Sequence, residues 1–355
     1  MRYGSVCSGI EAAGVAWKHL GWTCAFVSET GRFQSKLLSI RWPGVPNLGD
    51  FTKIGRGDYD GDVDLLVGGT PCQTYSRAGR REGLGDPRGG LALGFAELAL
   101  RLSARWLVWE NVVGVLSSTG GRDFAVLLSR LAGWDVRVPD GGWRNAGIVT
   151  GMPGGFSVGW RVLDARYARV DQFPRAVPQR RRRLVLVGNS GGWERVRAVL
   201  FDGEMCGGLA PPRHAGSGLS AAGDSGGGCC YPVDLTNLDG RSGVLPGKCW
   251  DGDGTAAYTI TRRRPSAVCA GGVLRMLTPL ECERAFGLPD GYTAIPWHGR
   301  DAAHCPDWSR YRAIGNSMPV NVMAWIGERI DEVERHGAIE DRGGGGEAPP
   351  AAEGR

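Results

Sequence analysis

Lysine is scarce in this sequence. Only four of its 42 basic residues are lysine (Lys18, Lys36, Lys53 and Lys248), although the 355 residues carry a net charge of +5. The other basic residues are arginines, whose guanidinium groups bind phosphates and base edges through paired hydrogen bonds. This composition favours a nucleic-acid partner, but a coding bias spread over a solvated surface explains it equally well.

Cysteine pairs and long apolar runs are also missing. The ten cysteines include no CxxC pair, which argues against structural zinc and against a disulfide framework. His298, His304 and Cys305 are metal-ligating types, but their spacing completes no tetrahedral site, so we predict no metal. Without an 18-residue apolar run or a leader-like N-terminus, the sequence predicts a cytoplasmic protein with no membrane span.

Short apolar runs alternate with helix-like segments over the first 190 residues, which is typical of a mostly parallel sheet covered by helices. Runs such as "VDLLVGG" and "LVLVG" lack alternation, as strands buried on both faces do. The predicted strands are 3–7, 24–28, 63–67, 106–109 and 184–187. Helical spacing predicts helices in "EAAGVAWKHLGW", with Gly21 as its C-cap, "ALGFAELALRLSA", "TPLECERAFGL" and "PVNVMAWIGERIDEVERH".

The composition of the sequence changes near residue 190. Glycine, proline and serine become frequent between 190 and 272, and little periodicity remains. We therefore predict an α/β domain over 1–189, a smaller loop-rich domain over 190–272, and a segment over 273–336 that returns to complete the first domain. The composition of 337–355 predicts a disordered tail.

A cysteine follows one of the predicted buried strands, in "GGTPCQTYS". Ligands of open α/β sheets bind at the carboxyl ends of strands, which is where Cys72 falls. The glycines and arginines after it suit a mobile loop that approaches a polyanion. On this ground alone Cys72 is either a nucleophile or a buried thiol, because free cysteines are often core residues.

Polar side chains also mark two later strands. "WENVVGVL" puts Glu110 and Asn111 at the end of the next predicted strand, where a carboxyl can face the same crevice as the cysteine or act as a helix N-terminal charge. "VPQRRRRLVLVG" places Gln179, Arg181 and Arg183 at alternate positions, so their side chains point to one face of a beginning strand. A solvated basic run is the alternative interpretation.

Together these segments resemble the DNA cytosine C5-methyltransferase family. "GGTPCQ" is similar to its nucleophile motif, "ENV" to its base-contacting glutamate motif and "QRRRR" to its QxRxR motif. "SVCSGIEAAGVAW" resembles the first, cofactor-binding block, and "RMLTPLECERAFGLPDGY" and "YRAIGNSMPVNV" resemble the last two. The motifs occur in family order from residue 5 to 330. The resemblance implies a Rossmann-like S-adenosylmethionine-dependent methyltransferase fold, with 190–272 as the target-recognition domain.

The resemblance also implies a reaction: methyl transfer from S-adenosylmethionine to C5 of a cytosine flipped out of double-stranded DNA. Cys72 would bond covalently to C6 of the base. Glu110 would donate a proton or a strong hydrogen bond to N3. Arg183, with Arg181 nearby, would bind the base O2 or an adjacent phosphate.

Binding residues follow from the same motifs. For the cofactor, the amides of Ser8, Gly9 and Ile10 would meet the methionine carboxylate, Glu29 the ribose hydroxyls and Asp50 the adenine. Leu91, Asn316 and Ser317 would complete that site. For the substrate, the resemblance implicates Gln73, Ser76, Arg80, Arg81, Arg88, Asn111, Gln179 and Thr259.

The first block departs from the family pattern. Ser5 and Cys7 stand where Asp and Phe are frequent, and Glu11 and Ala12 stand where glycines are frequent. We expect the lost aromatic contact to weaken cofactor binding. The expected partner is double-stranded DNA, with a monomeric enzyme and room for a cognate restriction endonuclease. Two alternatives are an RNA cytosine C5-methyltransferase and a catalytically silent DNA-binding protein.

Overall fold

A sheet with buried strands organises the fold. The computed structural model describes residues 1–71, 90–201, 230–233, 267–270 and 273–343. Seven strands form one sheet in the spatial order β2-β1-β3-β4-β7-β6-β5. They are β1 Arg2–Val6, β2 Thr23–Ser28, β3 Leu65–Gly68, β4 Trp106–Asn111, β5 Ala146–Val149, β6 Ser157–Asp164 and β7 Arg182–Asn189. A separate antiparallel sheet joins β8 Cys230–Val233, β9 Ala267–Ala270 and β10 Val273–Met276.

The main sheet has a parallel half and an antiparallel half. Strands β2, β1, β3 and β4 pair in parallel, whereas β7 joins β4 antiparallel and β6 and β5 continue in that sense. The parallel half brings four carboxyl ends to one edge, and β7 begins at that edge because it runs the opposite way. The predicted α/β architecture is confirmed, with the parallel pairing concentrated in β1 to β4.

Helices cover both faces of the sheet. They are α1 Ala12–Trp17, α2 Arg32–Arg41, α3 Gly90–Leu102, α4 Arg122–Ala132, α5 Trp193–Phe201, α6 Pro279–Phe286, α7 Asp307–Gly315 and α8 Val320–Gly343. Alternate side chains of each central strand enter two different apolar clusters: Leu65 and Val67 join the cluster under α1 and α8, and Leu66 joins the cluster under α3 and α4. This two-sided burial explains the unbroken apolar runs in the sequence.

Local signals account for the helix ends. Helix α1 continues as a 3-10 turn, Lys18–Leu20, and stops at Gly21, whose φ of 68° is the left-handed C-cap that the sequence predicted. Helix α6 begins with a capping box, in which Thr278 and Glu281 exchange side-chain-to-backbone hydrogen bonds. None of the described helices is long and apolar enough to cross a membrane.

Several observed elements differ from the sequence-based expectation. Strands β5, β6, β8, β9 and β10 and helices α2, α4, α5 and α7 were not predicted, while the five predicted strands lie within two residues of observed ones. Helix α5 lies inside the range 190–272, yet it packs against β6 and α8 of the main body. Most of that range, and 344–355, lie outside the described residues, so the domain boundaries and the disordered tail stay predictions.

Candidate active site at the carboxyl edge of the sheet

A cavity opens where the parallel strands end. The turn after β1, the Gly69 position after β3, the end of β4 and the segment between α7 and α8 form its wall. Its lining residues are Ser5, Val6, Cys7, Ser8, Gly9, Glu11, Ala12, Ala13, Val67, Gly69, Glu110, Asn316, Ser317 and Met318. Predicted cofactor residues from both ends of the chain, and the predicted Glu110, therefore meet in one cavity.

The turn after β1 is fastened to the end of β2. The Ser8 amide and hydroxyl lie 3.2 and 3.3 Å from the Ser28 carbonyl oxygen, and the Ser28 amide donates back to the Ser8 hydroxyl at 3.0 Å. The Gly9 amide donates to Oε2 of Glu29 at 2.8 Å. Two of the amides assigned to the cofactor carboxylate thus already have protein partners.

Glu29 lies directly after β2 and contacts the turn, although it is not one of the residues that line the cavity. Its two carboxylate oxygens accept from the amides of Gly9 and Gly31, at 2.8 and 2.6 Å. A carboxylate has about four acceptor positions, so capacity remains for two hydroxyl groups. This geometry suits a residue that binds a ribose diol while holding the turn in place.

Three further predicted cofactor residues, Ile10, Asp50 and Leu91, also lie outside the cavity wall. Asp50 caps the 3-10 helix Phe51–Lys53, where hydrogen bonds from Thr52 hold the pKa of its carboxyl below the usual range. Ile10 is buried in the core, and its carbonyl accepts from the Tyr292 hydroxyl at 2.8 Å. Leu91, in α3, packs against the apolar cluster under α3 and α4.

Glu110 and Arg183 form an ion pair at the junction of the two halves of the sheet. Nε of Arg183 lies 3.1 Å from Oε1 of Glu110, and both side chains are largely buried. The pairing follows from topology, since the end of β4 and the beginning of β7 meet at this edge. The arrangement places a carboxyl and a guanidinium side by side. Such a pair can hydrogen-bond neighbouring polar atoms on the edge of a heterocyclic ring.

The segment that leads into Cys72 is anchored to β4. The Trp109 indole donates to the Thr70 hydroxyl at 3.0 Å, and the Asn111 amide donates to the Thr70 carbonyl at 3.3 Å. Asn111 therefore touches the chain two residues before the predicted nucleophile. The predicted residues Cys72, Gln73, Ser76, Arg80, Arg81, Arg88 and Thr259 themselves lie outside the described residues.

Arg181 and Gln179 are buried just before β7. Arg181 donates to the Ser317 carbonyl at 2.7 Å, and its guanidinium carbon lies 4.9 Å from the centre of the Phe286 ring. These contacts tie the start of β7 to the segment after α7, a different environment from the one predicted for Arg181. Both polar side-chain atoms of the fully buried Gln179 have no hydrogen-bond partner among the described residues.

The C-terminal residues close the cavity. Asn316 is the exposed C-cap of α7, and the amide of the buried Ser317 donates to the Ile314 carbonyl at 2.9 Å. Sequence reasoning did not assign Ser5, Cys7, Glu11 or Met318 to the site. Ser5, Cys7 and Glu11 did carry a signal, because all three depart from the pattern of the first block.

The charges around the turn are mainly negative. Burial, followed by the carboxylates of Glu29 and Asp50, raises the pKa of the Cys7 thiol to about 12, so this thiol is neutral. Burial raises the pKa of the Glu11 carboxyl to about 7. No group of three or more metal-ligating side chains occurs in the described part of the chain.

Comparison with known proteins gives a family model that matches most of the chain, while one similar relative is named for methylation of adenine. The C-5 cytosine-specific DNA methylase family model matches residues 1–200 and 247–332. The DNA N-6-adenine-methyltransferase of Escherichia phage P1 is 32% identical over an alignment of 467 residues, which covers 92% of this chain and 61% of that protein. The Type II methyltransferase M2.BsuMI of Bacillus subtilis (strain 168) is 26% identical, covering 96% of this chain and 77% of its own.

A solved structure gives the same fold. The Dnmt2 methyltransferase of S. pombe superposes with a TM-score of 0.56 at 14% identity, covering 95% of this chain and 99% of that one. This likeness concerns the fold alone. The chain spans less than two thirds of the phage P1 relative, so that relative contains sequence that this chain does not match.

Proposed function

The chain belongs to the C-5 cytosine-specific DNA methylase family, and we propose that it transfers a methyl group from S-adenosylmethionine to C5 of cytosine. The substrate is a cytosine flipped out of a specific sequence in double-stranded DNA. The observation that carries the proposal is the Glu110–Arg183 ion pair, which lies at the same edge as the anchored segment leading into Cys72.

The proposed reaction begins at Cys72. Its thiolate adds to C6 of the flipped base, and the electrons of the C5–C6 double bond move so that C5 becomes a carbon nucleophile. After C5 has gained the methyl group, water takes the C5 proton, the electrons of that C–H bond restore the C5–C6 double bond, and the C6–sulfur bond breaks so that Cys72 leaves as a thiolate. A thiol with an unperturbed pKa of ~8.5 is only a few per cent ionised at neutral pH, so a nearby positive charge favours the reaction.

Glu110 and Arg183 stabilise the base while it carries extra electron density. The Glu110 carboxyl donates a proton or a strong hydrogen bond to N3 of the base. Arg183 orients that carboxyl and binds O2 of the base. Asn111 acts through Thr70, because its amide fixes the backbone that leads to the nucleophile. Arg181 and Gln179 support the start of β7 behind this pair.

The family uses S-adenosylmethionine as its methyl donor, and predicted cofactor residues from both ends of the chain line one cavity. Glu29 keeps acceptor capacity for the ribose hydroxyls, while Ser8, Gly9, Asn316 and Ser317 line the wall. Asp50 and Leu91 bind the adenine side in this proposal. S-adenosylmethionine supplies an electrophilic methyl group when bound, and the residues of the chain supply position and charge.

The remaining parts of the proposal concern DNA. We assign recognition of the target sequence to residues 190–272, in which Thr259 contacts the target site. We assign closure over the bound DNA to the segment 73–90, whose arginines contact the phosphates. We propose a monomeric enzyme, and the similarity to Type II methyltransferases leaves room for a cognate restriction endonuclease.

Two substitutions test the chemistry. Cys72→Ser abolishes methyl transfer, and Glu110→Gln slows it by about 10²-fold or more while DNA binding is retained, because a positioned acid contributes that much. Glu97→Gln makes the same carboxyl-to-amide change on the exposed face of α3 and keeps the wild-type rate. Unchanged turnover in either site variant contradicts the assigned role.

The product decides between activities. Tritiated methyl transfer followed by nucleoside analysis is expected to give 5-methylcytosine in duplex DNA. Label in N6-methyladenine, or only in transfer RNA, would contradict the proposal. A duplex carrying 5-fluorocytosine should trap a covalent adduct that requires both cofactor and Cys72, whereas a silent DNA-binding protein forms none.

A further inference from the structure

Glu11 is a carboxyl in the cavity wall that the proposed chemistry does not use. It is 1% exposed and lines the cavity together with Ser5 and Glu110. Oε1 accepts from the Gly14 amide at 3.0 Å, but Oε2, beside the hydroxyls of Ser5 and Tyr3, has no hydrogen bond of good geometry within the described residues. A buried carboxylate oxygen with no well-directed hydrogen bond is costly, and a positive charge or a donor from a ligand in the cavity would offset that cost.

The charge of this carboxyl can change near neutral pH. Burial raises the pKa of Glu11 to about 7, although hydrogen bonds from its neighbours act in the opposite direction. Three other titratable groups face Glu11: Tyr3 of β1, Cys24 of β2 and Tyr292 after α6. Burial raises the pKa of each, so all three stay protonated. Glu110, on β4, is the second carboxyl of the wall and has Arg183 as its counter-ion.

We propose that Glu11 contacts, as a carboxylate, a cationic group in the methionine part of bound S-adenosylmethionine, and that binding displaces the carboxyl proton into solvent. The inference rests on the proposed function and names one of its binding residues. The sulfonium and the ammonium of that moiety are both positive, and an opposite charge favours the ionised carboxyl.

Proton release is the direct readout. Calorimetric titration of the full-length protein with S-adenosylmethionine at pH 6, in buffers of different ionisation enthalpy, counts protons released on binding. Because pH 6 lies below the pKa of Glu11, the wild type is expected to release about one proton per cofactor bound. The cofactor amine is already protonated at that pH, so it contributes none.

Variants assign the proton to Glu11. Glu11→Gln is expected to release none at pH 6 and to bind S-adenosylmethionine about tenfold or more weakly at pH 7.5, since it lacks the charge-assisted contact. Glu97→Gln should match the wild type in both measurements. Thermal unfolding checks that Glu11→Gln folds; if it does not, proton release by the wild type and by Glu11→Asp decides the question.

S-adenosylhomocysteine separates the two cationic groups, because it keeps the ammonium but has a neutral thioether sulfur. Equal proton release with this ligand places Glu11 at the ammonium, and release only with S-adenosylmethionine places it at the sulfonium. Wild-type binding without proton release, or with proton uptake, overturns the inference and leaves the proposed function standing. Absence of cofactor binding by the wild type overturns both.

Discussion

Two residues of the first turn, Cys7 and Glu11, have left-handed backbone conformations, with φ of 47° and 57°. This conformation costs a non-glycine residue roughly 1–2 kcal/mol, and it persists only where surrounding contacts fix it. Here the Ser8 hydroxyl and the Gly9 amide tie the turn to β2, and the Glu11 carboxylate accepts from Gly14. Strain, burial and charge are therefore concentrated in the turn that lines the cavity, which is typical of a binding site.

The buried acid should make stability depend on pH. The pKa of Glu11 is raised from 4.5 to about 7 in the folded protein, so the folded state binds more protons than the unfolded state between these values. The contribution of Glu11 to the free energy of unfolding is fully present below about pH 4.5 and is lost as pH rises through about 7. The total loss is on the order of 3 kcal/mol. Glu11→Gln should therefore gain stability relative to wild type as pH rises from 5 to 8.

Urea unfolding of the cofactor-free proteins at both pH values measures this difference. The introduced amide is uncharged at both pH values, so its contacts shift both comparisons equally, and the change with pH isolates the charge of Glu11. Gln also keeps the backbone preference of Glu, so the strain of the turn is unchanged. A stability difference that is the same at pH 5 and pH 8 would show that Glu11 is ionised in both.

At this scale the sequence predicted part of the site. Glu110 and Arg183 were assigned from their motifs, and the structure brings them together because β4 and β7 are neighbours. Glu11 was not assigned, since a polar residue at the start of an amphipathic helix is ordinarily exposed. Only its left-handed φ turns the side chain inward, and helical periodicity carries no information about that angle.

At the scale of elements, strands buried on both faces were predictable because their apolar runs are unbroken. Strand β6 was missed because glycine and arginine interrupt its sequence, and its conformation depends on pairing with the distant β7 and β5. Helix α4 was predictable, since Phe124, Leu127, Leu128 and Leu131 recur at helical spacing. Helix α2 offers a weaker pattern, with only three buried residues.

Close packing of α8 on α1 gives a prediction at this scale. A Cβ on Gly327 would lie 2.3 Å from Cδ1 and Nε1 of Trp17, whose indole donates to the Met323 carbonyl at 2.7 Å. At a solvent-exposed position inside a helix, Gly→Ala raises the stability of the protein by up to ~1 kcal/mol. Here overpacking against a buried ring costs about 1–3 kcal/mol, so Gly327→Ala should destabilise the protein.

Thermal unfolding is the measurement, and the expected shift is a fall of several degrees in Tm. Gly57→Ala is the matched control, because a Cβ at that position would have no atom within 4 Å and its φ lies outside the left-handed region. A Tm for Gly327→Ala equal to or above that of the control would mean that Trp17 moves aside and that the α1–α8 contact is loose.

At the scale of the whole molecule, α8 connects regions that are far apart in the sequence. Arg329 donates to the Val199 carbonyl of α5 at 2.5 Å, and the Trp106 indole of β4 donates to Glu334 at 3.0 Å. Such contacts were not predictable from local patterns, because each joins residues more than 100 positions apart. They explain physically why the helices after residue 306 belong to the same body as the N-terminal sheet.

Asn321 provides the test of that connection. Its side-chain amide is fully buried and donates to the carbonyls of Ala165 and Ala168, at 2.7 and 2.8 Å. Asn321→Leu leaves two buried carbonyl oxygens without a donor, which costs about 1–3 kcal/mol of unfolding free energy each. The substitution also removes the buried Oδ1, which lacks a partner among the described residues, and this offsets part of the cost. We therefore expect a net loss of about 2 kcal/mol in urea unfolding, against none for the half-exposed Glu332→Ala on the same helix. Equal stability of the two variants would mean that water replaces the amide and that α8 is held by apolar packing alone.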